Sequence, residues 1–406
     1  MTMRKDRSCS YKLHPDFKPL RPVSREGLQK ILDMPVVNIS MLPNPIIIVS
    51  VTLYHKNNNW FVGVRGMHGE EGIAPCSDRV ELFFPLLKKF ASELIGRDAR
   101  KIEEVLDRIY VTDINYKIQG LAYWCPIAWL ESALLDMLGH AAGLHVSDLL
   151  GGKCREEIAL YLASGNRQNS PEEEIEILDK HVREIGAEAV KFKLGGRMSR
   201  NRDARAGRTE GLLQLARKHF GDDFIIHADG NGSYDAQKGI EVGKLVEDVN
   251  GYFYEEPCPF DDLWALKDVA DNLEVPLAFG EQETSLRRFA WNAEHQAARV
   301  LQPDLQYTGG FIPCIKVARM AQAAGMTVTP HVSGGYTSYN ALIYNCIIPN
   351  AGHYHEYKGF ADLGEFVEGG LTVKEGKVKM PEGIGLGIDF SLFGLSYRDI
   401  VFEVRA

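Results

Sequence analysis

The sequence contains no long apolar run, no closely spaced cysteine pair and no low-complexity tract. Without a run of about 18 apolar residues, a membrane-spanning helix is not expected. The seven cysteines are scattered, as is typical of free thiols in a reducing compartment. The first residues are basic but are not followed by the apolar stretch of a secretory signal. We therefore expect a cytoplasmic protein with no membrane partner.

A strong charge of one sign is also missing. The net charge is −9 and basic residues are interspersed with acidic ones, whereas nucleic-acid-binding domains usually carry a clustered basic face. Of the 406 residues, 45% are hydrophobic, which is an ordinary globular composition. This length exceeds what one hydrophobic core usually supports. We expect more than one domain, and no nucleic-acid partner.

The first third of the chain has an α+β pattern. A β-branched run over 46–54, a polar segment and a second apolar run over 60–65 predict a β-hairpin. Helical periodicity follows over 80–95 and 99–109. A third helix is predicted from Pro126 to Gly143, because proline is common in the first turn and glycine just after the last.

From residue 158 onward, eight short apolar runs alternate with amphipathic segments; the runs begin near residues 158, 189, 224, 251, 276, 298, 326 and 351. Such alternation predicts a parallel sheet, and eight repeats close it into a barrel. An open doubly wound sheet is the alternative. It is disfavoured because no glycine-rich phosphate-binding motif follows the first run and polar residues end the runs. A barrel places its active site at those ends.

Three acidic residues, Asp229, Glu255 and Glu281, end the third, fourth and fifth runs. Neighbours in this set are 26 residues apart, about one strand–helix unit, so the carboxylates are expected at one level of the barrel mouth. A single acid there is usually a helix cap or surface group, but three together repel strongly in a low-dielectric pocket. A divalent cation removes that conflict, and oxygen ligands suit Mg²⁺. The adjacent Glu256 is expected to point away along the strand pleat.

The second run carries Lys191 and Lys193 on either side of Phe192. Residues two apart in a strand share a face, so both ammonium groups are predicted to point into the barrel. Neighbouring cations disfavour each other's charge, and we expect the better buried lysine to have a lowered pKa and to act as a base. The alternative, a solvated pair on an edge strand, does not suit an interior barrel strand.

The sixth and seventh runs end in Asp304 and His331. On adjacent strands the carboxylate could hydrogen-bond the imidazole, fix its tautomer and raise its basicity. Either residue alone indicates little, since a single histidine is more often a core residue. The eighth run ends in Glu356, which could face a ligand as an acid or hydrogen-bond donor.

Taken in order, the segments KFK, HADGNG, YEEP, FGEQE, QPD and PHVSGG resemble the enolase superfamily, and within it the mandelate racemase subgroup. The segment that begins PIAWLESALLDMLGHAAG is similar to the helix that leads from cap to barrel in these proteins. The resemblance implies an α/β fold, a modified (β/α)7β TIM barrel with an N-terminal α+β capping domain. It implies a capping domain over 1–150, a barrel over 151–360 and a C-terminal segment over 361–406 that returns to the cap.

The resemblance also implies roles for the residues at the strand ends. One Mg²⁺ per active site would be held by the three acids Asp229, Glu255 and Glu281. Lys193 would be one base, and His331, paired with Asp304, the other. Lys191 and Glu356 would contact the substrate, the first at its carboxylate and the second opposite the metal. A homo-oligomer is expected on the same basis.

The chemistry implied is removal of a proton next to a carboxylate in a small organic acid. Return of the proton from the opposite face gives racemisation or epimerisation of a 2-hydroxy acid, whereas loss of a β-hydroxyl gives a 2-keto-3-deoxy acid. The subgroup favours dehydration of a sugar acid. A non-catalytic carboxylate-binding barrel is a third reading, but such a protein would be expected to have lost a ligand or base. The basic loop over 197–208 is predicted to be surface, with a role in the pocket as the alternative.

Overall fold

The N-terminal part of the chain forms an antiparallel sheet with helices packed against it. The computed structural model describes residues 11–334, 338–359 and 370–406. Four strands are paired in the order β14-β1-β2-β3; they are β1 (Ile48–Lys56), β2 (Asn59–Gly66), β3 (Glu71–Cys76) and β14 (Ile400–Arg405). Because β14 pairs with β1, the end of the chain returns to the sheet formed near its beginning.

The predicted hairpin is formed by β1 and β2. Lys56 pairs with Asn59, so the turn consists of Asn57 and Asn58 alone. Both have positive φ, at 50° and 60°, as the tight turns that match strand twist require. Asparagine tolerates this left-handed region better than most residues, and the local sequence therefore fixes the hairpin.

Five helices belong to this region or follow it directly: α1 (Arg25–Asp33), α2 (Val80–Leu94), α3 (Ile102–Val111), α4 (Leu121–Ala142) and α5 (Val146–Leu149). The predicted start of the third helix was wrong. Helix α4 begins at Leu121, and Pro126 lies inside it. Tyr123 and Cys125 are buried, and their packing extends the helix beyond the point at which local propensity would start it.

Helix α4 connects the N-terminal sheet, the C-terminal segment and the barrel. The carboxylate of Asp136 accepts hydrogen bonds from the backbone N–H groups of Ile73 (2.9 Å) and Leu386 (2.7 Å). The side chain of Glu131 accepts hydrogen bonds from the backbone N–H groups of Phe311 and Ile312 (2.8 Å for Ile312). These are the first residues of a barrel helix, whose N–H groups have no partner within the helix. One buried helix thus fixes the cap on the barrel.

The barrel is built from eight parallel strands: β4 (Glu157–Ala163), β5 (Ala189–Lys193), β6 (Ile225–Asp229), β7 (Tyr254–Glu255), β8 (Leu277–Phe279), β9 (Val300–Leu301), β10 (Thr327–Val328) and β11 (Tyr354–Tyr357). Sequential strands pair from β4 to β10. Strand β11 pairs with β4, and a bridge between Val328 and Ala351 joins the chain before β11 to β10. The sheet is therefore closed, and the predicted barrel is confirmed.

In the described part of the chain, seven helices alternate with these strands: α6 (Pro171–Ile185), α7 (Arg208–Phe220), α8 (Ala236–Asp248), α9 (Leu263–Ala270), α10 (Leu286–His295), α11 (Phe311–Ala323) and α12 (Ser338–Ile347). A short hairpin, β12 (Val373–Lys374) and β13 (Lys377–Lys379), adds to β4. None of the helices seen within 11–334, 338–359 and 370–406 is long and apolar enough to cross a bilayer. The predicted domain boundaries stay predictions.

Candidate active site

Three carboxylates meet at the C-terminal mouth of the barrel. Lys193, Asp229 and Glu255 end adjacent strands, and the strand register pairs Lys193 with Asp229 and Asp229 with Glu255. Glu281 follows β8 by two residues. One oxygen from each of the three acids lies within 4.8 Å of the others. The fold therefore brings together the three acids that the equal spacing singled out.

The acidic cluster is electrostatically unfavourable without a counter-ion. Burial raises the pKa of Asp229 to about 6, with a further contribution from the charge of Glu255. Burial also raises the pKa of Glu281 well above its usual value. Within the described residues, Oε1 of buried Glu255 has no hydrogen-bond partner. Buried, repelling oxygens with unused acceptor capacity are what a hard divalent cation neutralises, so these residues fit a metal site.

Asn231 supports the acidic cluster and was not predicted. Its backbone N–H donates to Oδ1 of Asp229 (2.8 Å), and its side-chain amide donates to Oε1 of Glu281 (3.3 Å). The Arg167 guanidinium, from the loop after β4, donates to the side-chain oxygen of Asn231 and to the carbonyl of Leu194 (3.2 Å). These groups orient two of the acids, and nothing in the spacing of Arg167 marks it in the sequence.

The two lysines of β5 differ from the expectation. Lys191 is the better buried, 1% exposed, and its ammonium lies 2.8 Å from Glu255 and 3.3 Å from Glu356. Burial alone would lower the pKa of Lys191, but these two carboxylates raise it well above its usual value. The lysine with the lowered pKa is half-buried Lys193. Burial and the charges of Lys191 and Arg167 lower its pKa, and together they outweigh the opposing effect of Asp229. The expectation that the deeper lysine would have the lowered pKa was wrong, because that lysine is paired with two carboxylates.

His331 lies within hydrogen-bonding distance of Asp304, with 2.7 Å between Nδ1 and Oδ2. Asp304 also accepts hydrogen bonds from the backbone of Gln306 and the hydroxyl of Ser333. A carboxylate at Nδ1 favours the tautomer in which Nε2 is a free acceptor. Burial lowers the pKa of His331, but the bond to Asp304 and the charges of Glu281 and Glu356 raise it overall.

The ring of His331 is also linked to the cap. Tyr307 stacks on it with a centroid distance of 6.2 Å, and the Arg79 guanidinium donates to the Tyr307 hydroxyl at 2.7 Å. Arg79 precedes the first residue of α2. Through Tyr307, Arg79 connects the cap to the site.

The surroundings of Glu356 favour its ionised form over the hydrogen-bond donor that was expected. Its oxygens contact Lys191 (3.3 Å) and Lys358 (3.5 Å), and it accepts the backbone N–H of Val332 at 3.2 Å. Burial raises the pKa of Glu356, but the charges of Lys191, Lys358 and His331 outweigh burial and hold it well below its usual value. Glu356 is therefore ionised at neutral pH and holds the two lysines in place.

Lys358 was missed, although a sequence pattern was present. It lies two residues after Glu356, and strand alternation sends residues two apart to one face. Its ammonium is 3.3 Å from Nε2 of His331 and 3.5 Å from Oε2 of Glu356. The site thus has a third lysine, on the side of His331.

Two smaller expectations concern Glu256 and the basic loop. The pleat does not continue through Glu256, whose φ is +38°; its carboxylate is buried without a hydrogen-bond partner among the described residues. In the basic loop, Arg197 and Arg200 are exposed, in line with the surface prediction, and both have positive φ. The loop is held along 231–235 by backbone bonds such as that from Met198 to Asn231 (2.9 Å).

Comparison with known proteins agrees with this architecture. A sequence profile of the family described as Enolase C-terminal domain-like matches residues 173–392. The chain is 25% identical over 362 residues to the arabinonate dehydratase of Saccharolobus solfataricus, covering 89% of this chain and 91% of that protein. It is 29% identical over 313 residues to the D-galactonate dehydratase of Klebsiella pneumoniae, covering 73% and 79%.

Among solved structures, a racemase candidate from Roseobacter denitrificans superposes with a TM-score of 0.81 at 26% identity, covering 89% of this chain and 100% of that one. This protein belongs to the enolase superfamily. The predicted superfamily, its mandelate racemase-like subgroup and the fold class are confirmed.

Proposed function

We propose that this protein catalyses the Mg²⁺-dependent dehydration of a sugar acid to a 2-keto-3-deoxy acid. One observation carries the proposal: a cluster of three carboxylates at the barrel mouth, two of them buried, lies beside a lysine with a lowered pKa and a histidine oriented by an aspartate. The two dehydratases to which the chain is similar act, by their names, on sugar acids. The substrate class proposed here follows from that similarity.

Asp229, Glu255 and Glu281 would hold one Mg²⁺ ion. When bound, the ion supplies Lewis-acid stabilisation of the negative charge that develops as the α-proton leaves. Lys191 stays protonated between two carboxylates and would add positive charge near the substrate carboxylate. These groups address the main barrier, since an α-hydrogen beside a carboxylate is only very weakly acidic.

Lys193 and His331 would exchange protons with the substrate from opposite faces. Lys193 suits a base because its pKa is lowered, and His331 because Asp304 at Nδ1 makes Nε2 the acceptor nitrogen of the ring. Asp304 would hold the imidazole and stabilise it once protonated. Racemisation or epimerisation of a 2-hydroxy acid is the second candidate, favoured by the presence of two such bases and by the likeness to a racemase candidate.

A screen of mono- and diacid sugars decides between these reactions. With Mg²⁺ present, we expect one sugar acid to give a 2-keto-3-deoxy acid, detected by semicarbazone formation, and EDTA to abolish the product. Mg²⁺ should also raise the melting temperature, since a ligand that binds only the native state stabilises it. Formation of the stereoisomer alone would establish the second candidate. Neither product, with no Mg²⁺ shift, would contradict both and favour a non-catalytic barrel.

Affinity for Mg²⁺ is expected to fall in acid. Because the pKa of Asp229 is raised to about 6, the metal-free cluster holds a proton at pH values where an ordinary aspartate has lost it. Cation binding displaces that proton, so affinity should fall by up to ~10-fold for each pH unit below about 6. Titration calorimetry in buffers of different ionisation enthalpy measures both affinity and proton release. Affinity that is flat down to about pH 5 would contradict the prediction.

A further inference from the structure

One guanidinium of the cap lies beside the barrel mouth without a counter-ion among the described residues. Arg79 is half-buried and precedes the first residue of α2. Its Nε and one terminal nitrogen, Nη2, donate to the Tyr307 hydroxyl at 3.1 and 2.7 Å. The acid next to it in the chain, Asp78, is exposed and forms no ion pair with it. A half-buried positive charge is therefore left without an anion in the part of the chain that the structure describes.

The unused donors of Arg79 are arranged as a carboxylate requires. A guanidinium has five N–H donors in one plane, and Tyr307 accepts from the edge formed by Nε and Nη2. The other edge, between Nη1 and Nη2, has no hydrogen-bond partner within the described residues. Two parallel N–H groups on one edge can bind both oxygens of a carboxylate at once. An anionic group of a ligand would find both the charge and the donors here.

The distance from Arg79 to the reacting end of the site fits the length of a sugar acid. The guanidinium carbon lies 4.9 Å from the centre of the Tyr307 ring, which lies 6.2 Å from the centre of the His331 ring. Together, 4.9 and 6.2 Å place the guanidinium at most about 11 Å from the imidazole. An extended six-carbon acid is about 6 Å long, and contacts of about 3 Å at each end extend its reach to about 12 Å.

We propose that Arg79 is a specificity-determining residue that binds a second carboxylate at the far end of the substrate, so that the preferred substrate is a sugar diacid. The inference rests on the proposed dehydration and names the substrate class for the same site. Arg79 touches no reacting atom in this proposal; it holds the end of the chain that is remote from the α-carbon. A monoacid ends in a neutral hydroxyl and would leave the charge of Arg79 unpaired beneath it, which is unfavourable in a half-buried site.

The alternative is that Arg79 only supports the histidine. The Tyr307 hydroxyl is also hydrogen-bonded to Ser333, and Ser333 donates to Asp304, the partner of His331. Loss of such support would slow every substrate by a similar factor, because His331 acts on the α-carbon that all of them share. Loss of a carboxylate-binding group would affect the diacid alone. The two roles therefore differ in the ratio of kcat/KM for a diacid to kcat/KM for a monoacid.

The test compares a six-carbon sugar diacid with the monoacid of the same hydroxyl configuration, with the full chain and Mg²⁺. We expect the parent to prefer the diacid. Arg79→Met should raise KM for the diacid by ~10–10²-fold, the usual effect of losing a charged hydrogen-bond partner, and should leave kcat and both constants for the monoacid nearly unchanged. Arg79→Lys keeps a charge but not the two parallel donors, and should retain part of the preference. Arg108→Met, at an exposed arginine of α3 in the cap, is the matched control and should behave like the parent.

Two results overturn the proposal and leave the proposed dehydration standing. One is a parent protein that dehydrates the monoacid at least as well as the diacid. The other is an Arg79→Met variant that slows both substrates by the same factor, and Arg79→Lys takes its place if the methionine variant does not fold. Absence of keto acid from every sugar acid would instead contradict the dehydration. Calorimetry then compares the affinities of the two acids, and equal affinities in the parent would overturn the diacid subsite as well.

Discussion

A protein carrying Asp229→Asn is expected to turn over its substrate at least ~10³-fold more slowly than the parent while keeping its fold. Asp229 ends β6 between Lys193 and Glu255 in the strand register. Asparagine keeps the shape and an acceptor for the N–H of Asn231 but removes the charge. The loss of rate corresponds to about 4 kcal/mol of transition-state stabilisation.

In the metal-free protein, Asp229→Asn is expected to preserve or raise thermal stability, although it lowers turnover. A pKa raised from 3.8 to about 6 means that ionising Asp229 costs about 3 kcal/mol more in the native state than in the unfolded chain. Protonated Asp229 stabilises the native state fully at pH values below its pKa in the unfolded chain. This stabilisation is lost as the pH rises through about 6. Asparagine cannot ionise, so in EDTA at neutral pH the variant should melt no lower than the parent.

Scanning fluorimetry with EDTA or Mg²⁺, together with the turnover assay, measures both effects. The Mg²⁺-dependent rise in melting temperature should shrink or vanish in Asp229→Asn. Asp223→Asn, which changes an exposed acid just before the same strand, is the control and should match the parent in both assays. A variant with full turnover, or with an unchanged Mg²⁺ shift, would remove Asp229 from the metal site.

Lys193→Ala and His331→Asn form the second prediction, and each is expected to lower turnover by ~10²–10⁴-fold. The reasons differ. Alanine removes the amine whose lowered pKa makes it a base, whereas asparagine keeps a polar group near Asp304 but has no basic nitrogen to replace Nε2. If the two bases face opposite sides of the substrate, each variant should lose α-hydrogen exchange with one stereoisomer and retain it with the other.

Proton NMR of each stereoisomer in D₂O follows this exchange directly. Lys180→Ala, at an exposed lysine of α6, and His353→Asn, at an exposed histidine before β11, are matched controls. Both controls should exchange like the parent. Exchange at the parental rate in Lys193→Ala and in His331→Asn would exclude the two-base assignment and leave the acidic cluster without its proposed partners.

Much of this arrangement could be predicted because parallel strands put their last residues at one edge. Equal spacing was enough to place Asp229 and Glu281 near Glu255, and strand alternation was enough to place Lys191 and Lys193 on one face. The same alternation would have included Lys358. Arg167 could not be found in this way, because it lies in a loop whose path depends on the contacts of its neighbours.

The sequence by itself determined the closed barrel, the hairpin of β1 and β2, and which residues lie at or just beyond the ends of the barrel strands, because these features follow from periodicity and local conformational preference. Only the tertiary structure decided which groups carry charge. Lys191 stays protonated and Glu356 ionised because they lie 3.3 Å apart, although they are far apart along the chain. In a buried site, such distances between remote residues outweigh the intrinsic properties of each side chain.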